Sequence, residues 1–118
     1  MMIANNKPLV SIAMATYNGG KYIKEQLFSI LDSDYENLEI IIVDDASSDN
    51  TLAIINNFMT VDNRIKLYTS NENKGALYAF ERALTLSTGD FIALSDQDDI
   101  WDKNKITCML EVFAIIQN

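Results

Sequence analysis

The chain has 118 residues, 48% of them hydrophobic, which is enough to bury one core but too short for two domains to be expected. Its 9 lysines and arginines against 17 aspartates and glutamates give a formal net charge of -8, which disfavours nucleic acid as a partner. Because histidine is absent and Cys108 is the single cysteine, the usual zinc sets, catalytic triads and internal disulfides are excluded.

The predicted elements alternate between strands and helices. Four apolar runs rich in valine and isoleucine, at residues 9–15, 38–43, 65–68 and 91–94, are typical of strands buried on both sides. The three segments between them have apolar residues at helical spacing, and a final amphipathic segment covers about residues 103–116, where Cys108 is expected to be a buried thiol. This order predicts an α/β, Rossmann-like fold of mainly parallel strands with right-handed crossovers and helices on both faces.

The segments that follow the four strands are unusually polar. In open α/β sheets ligands bind beyond the carboxyl ends of the strands, so all four segments are predicted to converge on one rim. The candidate binding residues of that rim are Thr16, Tyr17, Asn18, Asp44, Asp45, Lys74, Gly75 and Asp96.

Three carboxylates, Asp96, Asp98 and Asp99, directly follow the fourth apolar run and are the candidate metal ligands. Clustered anions at the carboxyl end of a buried strand repel one another, so a divalent cation is the expected counter-charge. Oxygen ligands suit Mg²⁺, Mn²⁺ or Ca²⁺, and the spacing does not follow the twelve-residue calcium loop. An open coordination sphere shared with substrate phosphates fits best. The alternative is a solvated acidic turn in which one acid caps the last helix.

The other rim segments also have structural interpretations. Residues 16–20 can form a turn and a helix cap, and residues 71–75 have the composition of a surface loop. Helix capping explains residues 47–49 but not the two consecutive acids at the end of an apolar strand. From side-chain chemistry, Tyr17 could stack on a flat base and Asp44 could accept the ring N–H of a uracil or thymine.

The order and spacing of four motifs resemble the donor-binding part of family 2 glycosyltransferases with the GT-A fold, over about residues 8–105. The motifs are Thr16-Tyr17-Asn18, Val43-Asp44-Asp45-Ala46-Ser47, Asn73-Lys74-Gly75 and Ser95-Asp96-Gln97-Asp98-Asp99-Ile100-Trp101. Bacterial cell-surface polysaccharide enzymes, including rhamnosyl-type members, are most similar, through Glu25-Gln26-Leu27 and Phe80-Glu81. Many relatives carry an arginine where this chain has Phe80, so an arginine contact to the donor phosphates is not implied.

The resemblance implies inverting transfer of a hexose or deoxyhexose from a UDP- or dTDP-linked donor to a polysaccharide or lipid-linked acceptor. By this resemblance Thr16, Tyr17 and Asp44 would hold the base. The resemblance also assigns the ribose and an Mn²⁺ or Mg²⁺ cofactor to an Asp-x-Asp motif, Asp96 and Asp98, with Asp99 as a further metal-site residue.

The resemblance also predicts how much of such an enzyme these residues represent. Residues 1–118 are interpreted as the donor-binding part of a GT-A domain, with the acceptor-binding half and the general base absent, so the chain alone should bind a sugar donor without appreciable transfer. No apolar run approaches the roughly 20 residues that span a bilayer, so a cytoplasmic protein is expected, which could act at the inner face of the membrane. An exposed C-terminal helix could make it a homo-oligomer.

Two other functional classes are open alternatives. A response-regulator-like phospho-acceptor domain also combines a small doubly wound sheet with clustered acids and Mg²⁺. It needs an acid pair after the first strand and an acceptor aspartate after the third, where this chain has Thr16 and Ser70. The other alternative is a non-catalytic binding module whose acids only tune solubility.

Overall fold

The computed structural model describes residues 7–96 and 98–117. Strands and helices alternate as the apolar patterns predict. The strands are β1 (Val10–Thr16), β2 (Leu38–Asp44), β3 (Ile65–Thr69) and β4 (Phe91–Ser95), and the helices are α1 (Ile23–Leu31), α2 (Thr51–Val61), α3 (Ala76–Leu86) and α4 (Lys105–Gln117).

All four strands form one parallel sheet in the order β3-β2-β1-β4. The register pairs Thr16 with Asp44, Asp44 with Thr69, and Met14 with Ser95. The carboxyl ends of all strands therefore meet at one edge of the sheet. This confirms the predicted α/β architecture, and the polar segments that follow the strands share that edge.

Helices cover both faces of the sheet, as predicted. The larger core lies between the sheet and α1, α2 and α4, whose buried side chains are Ile23, Leu27, Ile30, Ile55, Ile106 and Leu110. On the opposite face, Ala13, Ile41 and Val43 pack against α3. Ala79 and Ala83 of α3 are fully buried there, and their small size lets the helix lie close to the strands.

The edge strand β4 departs from the expectation that each strand is buried on both sides. Ile92 and Leu94 are 45% and 55% exposed, although they pair with Ser11 and Ala13 on the α3 side of the sheet. The reason is that α3 lies over β1 and β2 and leaves this face of β4 open. Cys108 is also exposed, contrary to expectation. It lies two residues from the buried Ile106 and from the buried Leu110, and therefore on the other side of α4.

A buried polar network joins the amino ends of β1 and β2 to the turn before β4. The Glu39 carboxylate is 4% exposed and accepts hydrogen bonds from the Ser11 hydroxyl (2.5 Å) and from the Thr88 backbone N–H (2.6 Å) and hydroxyl (2.9 Å). Lys66 forms an ion pair with its second oxygen at 3.1 Å. Gly89 donates its N–H to Ser11 Oγ at 2.8 Å. This network lies opposite the polar rim and is structural.

Candidate functional site

A cavity of 440 Å³ opens at the carboxyl edge of the sheet, on the α3 side. Segments from all four strand ends contribute to it. Its walls are Ala15, Thr16, Tyr17, Asp45, Asn73, Gly75, Ala76, Ala79, Phe80 and Asp96. Five of the predicted binding residues therefore meet at one cavity, namely Thr16, Tyr17, Asp45, Gly75 and Asp96. The other candidates, Asn18, Asp44, Lys74, Asp98 and Asp99, do not line it.

Asp44 is fully buried and its carboxylate is engaged within the protein. One oxygen accepts hydrogen bonds from the hydroxyls of Thr16 (2.6 Å) and Ser47 (2.7 Å), and the other accepts the Ser47 backbone N–H (2.9 Å). These bonds hold the loop after β2 against the end of β1. The contact of Asp44 with a base stays a prediction, because the acid that lines the cavity is its neighbour.

Asp45 faces the cavity because successive residues of a strand point to opposite faces. Ile40 and Ile42 belong to the larger core and Ile41 and Val43 to the α3 side, so the residue after Asp44 continues the α3 side. The oxygens of Asp45 accept the backbone N–H groups of Lys74 (2.8 Å) and Gly75 (2.9 Å). This acid therefore anchors the loop that precedes α3 to the cavity wall.

The loop that precedes α3 depends on a glycine. Gly75 has a φ of 98°, which side chains on L-residues rarely allow, and it directly precedes the first residue of α3. Lys74 contributes its backbone N–H to Asp45, while its side chain lies over the Tyr78 ring, with Nζ 4.8 Å from the ring centroid. The predicted ligand contact of the Lys74 ammonium stays a prediction.

Asn18 links the loops after β1 and β2. Its side-chain oxygen accepts the N–H groups of Ser48 (2.8 Å) and Asp49 (3.3 Å), and its own N–H donates to Ser47 Oγ (2.8 Å). Asn18 has a φ of 48°, a conformation that asparagine tolerates better than most residues. The structural interpretation of this segment as a turn therefore holds for Asn18, but Asn18 bonds to the loop before α2 and caps neither α1 nor α2. The adjacent Tyr17 ring is 45% exposed at the cavity.

The acidic loop, defined by Asp96, Asp98 and Asp99 after β4, is partly tied by its own hydrogen bonds. The Asp96 N–H donates to Asp99 Oδ2 and the Asp99 N–H donates to the Asp96 carbonyl, both at 3.2 Å. Asp98 is exposed with a φ of 59°, and Asp96 is exposed at the cavity wall. Gln97 of the predicted motif lies outside the described residues. The Asp99 carboxylate accepts its hydrogen bond from Asp96 within the loop, before α4 begins at Lys105, so the expected capping of the last helix is not seen for Asp99 among the described residues.

The loop offers oxygen atoms but not a closed cage for a metal. Within residues 7–96 and 98–117, no three histidine, cysteine or acidic residues are grouped closely enough to hold an ion by themselves. Exposed carboxylates at Asp96 and Asp98 suit hard cations such as Mg²⁺ or Mn²⁺, which often keep several positions for water or substrate phosphates. The donor set therefore fits a metal shared with a bound ligand.

Side chains of helix α1 hold the acidic loop through hydrogen bonds that the sequence did not predict. Gln26, 2% exposed, donates from Nε2 to Ser95 Oγ (2.9 Å) and to the Asp96 carbonyl oxygen (2.6 Å). Ser29 accepts the Trp101 backbone N–H at 3.0 Å. One signal was available in the sequence, since Gln26 is a polar residue on the otherwise apolar stripe of its helix.

Comparison with known proteins agrees with this arrangement. The model of the family described as glycosyl transferase family 2 matches residues 11–115. The chain belongs to this family. Among its relatives, the putative teichuronic acid biosynthesis glycosyltransferase TuaG of Bacillus subtilis (strain 168) is 39% identical over 92% of this chain and 43% of its own length. A β-1,3-glucosyltransferase of Escherichia coli, WfgD, named for UDP-Glc and a GlcNAc-diphosphoundecaprenol, is 42% identical over 88% of this chain and 40% of its own length.

Solved glycosyltransferases share the fold. The mannosyltransferase PcManGT of Pyrobaculum calidifontis, in complex with GDP-Man and Mn²⁺, superposes with a TM-score of 0.82 at 28% identity, covering 88% of this chain and 32% of that one. Staphylococcus aureus TarS in complex with UDP-GlcNAc gives 0.83 at 29% identity, with 89% and 31% covered. The predicted family and GT-A fold are confirmed, and the family match favours a glycosyltransferase over the phospho-acceptor and non-catalytic alternatives. This family 2 chain spans less than half the length of these relatives.

Proposed function

We propose that this chain is the donor-binding part of a family 2 glycosyltransferase and that it binds a nucleoside-diphosphate sugar. The observation that carries the proposal is the 440 Å³ cavity, to which residues after each of the four parallel strands contribute. Ligands of open α/β sheets bind at this edge. Two structural neighbours, solved with GDP-Man and Mn²⁺ and with UDP-GlcNAc, support the same ligand class.

The nucleotide would lie between the ends of β1 and β2. The Tyr17 ring is partly exposed at the cavity and offers a flat apolar surface for a base. Each Asp45 oxygen accepts one backbone N–H and has a further lone pair, so this carboxylate can also accept the ring N–H of a uracil or thymine. We therefore propose a UDP- or dTDP-linked donor, with Asp45 at the base and Asp44 holding Thr16 in place behind it.

The diphosphate would lie toward the acidic loop. Asp96 and Asp98 would hold an Mn²⁺ or Mg²⁺ ion, with Asp99 alongside, and the remaining positions of the ion would be filled by phosphate oxygens and water. When bound, the ion stabilises the charge that grows on the nucleoside-diphosphate leaving group. Charge supports the need for such an ion, because the protein has a net charge of -8 and the described residues that line the cavity include no lysine or arginine.

The transfer step needs a base that deprotonates the acceptor hydroxyl, so that the hydroxyl oxygen displaces the nucleoside diphosphate with inversion at the sugar carbon. We assign no residue of these 118 to that role. The relatives named above are more than twice as long as the part this chain matches. We propose that the acceptor site, for a polysaccharide or lipid-linked saccharide, belongs to the region that corresponds to the rest of their length, and that the 118 residues alone bind the sugar donor without appreciable transfer.

Calorimetric titration of UDP, dTDP and GDP, each with and without Mn²⁺, tests the proposal. UDP or dTDP should bind, and Mn²⁺ should strengthen the binding. Asp98→Ala should abolish the effect of Mn²⁺, whereas Glu111→Ala, which removes an equal charge from an exposed position on α4, should leave it intact. If the folded protein binds none of the three nucleotides, or if Asp98→Ala keeps the full Mn²⁺ effect, the proposed site is wrong.

A further inference from the structure

Gln26 makes two hydrogen bonds across about 70 residues of sequence, from α1 to the start of the acidic loop. Its amide group is buried, with Nε2 2.9 Å from Ser95 Oγ and 2.6 Å from the Asp96 carbonyl oxygen. A backbone carbonyl can only accept a hydrogen bond, so the NH₂ end of the amide must face it. The orientation of the Gln26 side chain is therefore determined by its partners.

The hydrogen bonds of Asp96 connect it to two different parts of the protein, the loop itself and helix α1. Asp99 accepts the Asp96 N–H and donates to the Asp96 carbonyl, but both groups belong to the loop and would move with it. Gln26 belongs to a helix whose neighbours Ile23, Leu27 and Ile30 are buried in the larger core. Its bond to Asp96 therefore couples the start of the loop to the body of the protein.

The same helix also holds the chain two residues beyond the loop. Ser29, one turn after Gln26, accepts the Trp101 N–H at 3.0 Å and donates to the Gln26 carbonyl at 2.7 Å. Trp101 is itself 5% exposed and packs in the larger core. The chain is thus fastened to one turn of α1 at Asp96 and at Trp101, on either side of the exposed Asp98.

We propose that Gln26 is a positioning residue for the metal ligands of the acidic loop. By holding the Asp96 carbonyl, it directs the Asp96 carboxylate into the cavity and keeps Asp98 within reach of the same ion. This inference rests on the function proposed above for Asp96 and Asp98. It assigns Gln26 no contact with substrate or metal. A residue of this kind affects affinity for the ion more than it affects recognition of the nucleotide base.

The test replaces Gln26 with methionine, which has a similar length and no hydrogen to donate. Binding of Mn²⁺ at saturating UDP is followed by the loss of the free-ion signal in electron paramagnetic resonance, and UDP affinity in EDTA is measured separately by calorimetry. Gln26→Met should weaken Mn²⁺ binding roughly 10- to 100-fold, as replacements of residues that orient metal ligands do. UDP affinity in EDTA should stay unchanged.

Ile30→Val is the matched control, because it trims a fully buried side chain of the same helix and leaves the hydrogen bonds of Gln26 in place. Urea denaturation shows that each variant is folded, and Gln26→Asn, which retracts the amide by one methylene, replaces Gln26→Met if that variant does not fold. Unchanged Mn²⁺ affinity in a folded Gln26 variant overturns the inference, as does an equal loss of UDP affinity in EDTA. Absence of metal-dependent binding in the unaltered chain instead overturns the proposed function.

Discussion

Replacing Glu39 with glutamine should lower the stability of the fold at neutral pH. It should also make the stability fall less steeply as the pH is lowered. Burial alone would raise the pKa of the Glu39 carboxyl. Hydrogen bonds from Ser11 and Thr88 and the contact with Lys66 outweigh burial and lower the pKa from its ordinary 4.5 to about 2. Glutamine has the same shape and can keep the oxygen that accepts from Ser11 and Thr88, so the change removes mainly the charge.

The lowered pKa sets both the size and the direction of the effect. The difference between the ordinary pKa of 4.5, taken for the unfolded chain, and the folded pKa of about 2 corresponds to a stabilisation of about 3 kcal/mol at a pH where the carboxyl is ionised in both the folded and the unfolded state. Because the folded pKa is the lower one, this contribution is complete above the unfolded pKa and disappears as the pH falls through about 2. At pH 3 about 1 kcal/mol of it should remain.

Urea denaturation at pH 7, 5, 4 and 3 provides the assay. The difference in unfolding free energy between the wild type and Glu39→Gln should be largest at pH 7 and should shrink steadily below pH 5. Glu81→Gln serves as the control, because Glu81 is exposed on α3 and its carboxylate has no hydrogen-bond partner among the described residues. A difference between the wild type and Glu39→Gln that is the same at pH 7 and pH 3 would refute the reasoning.

Three further substitutions test the packing and the loops. Gly89→Ala should destabilise the fold by about 1–3 kcal/mol in urea, because the new Cβ would lie 2.7 Å from the Ser11 backbone nitrogen; an unchanged midpoint would contradict this. Asp44→Ala should cost about 3 kcal/mol by leaving the buried Thr16 hydroxyl without its partner. If instead only UDP affinity fell, the contact of Asp44 with a base would be supported. Asn18→Ala should cost about 1 kcal/mol through loss of the hydrogen bonds that Asn18 accepts from Ser48 and Asp49. It should also speed proteolysis of the loop after β2, which a digestion time course measures.

The alternation of apolar runs and helical stripes was sufficient to predict the elements. Each strand and helix depends mainly on neighbouring residues, and a parallel sheet follows because strands joined by helices must cross over. The grouping of polar residues at one edge follows from the same topology. For this reason the rim could be predicted before the structure was known, whereas the family was inferred from the resemblance of the four motifs.

Which of Asp44 and Asp45 faces the cavity could not be predicted from the sequence in the same way. Both acids follow the same strand, and which one faces a ligand depends on the side of the sheet where the cavity opens. That side depends on α3, whose small residues Ala76 and Ala79 leave the space beside Tyr17. The exposed face of β4 has a similar origin, because an apolar strand does not reveal which of its faces a helix will cover.

The amino-acid sequence by itself therefore determined the α/β order, the shared edge of the strands and the acidic loop with its resemblance to family 2. Only the tertiary structure decided that Asp45 lines the cavity, that Asp44 and Asn18 hold loops together, and that Gln26 supports the acidic loop. The reason is physical. A helix or strand is specified by local periodicity, whereas the role of a polar side chain depends on partners that folding brings to it, which for Gln26 are about 70 residues away along the chain.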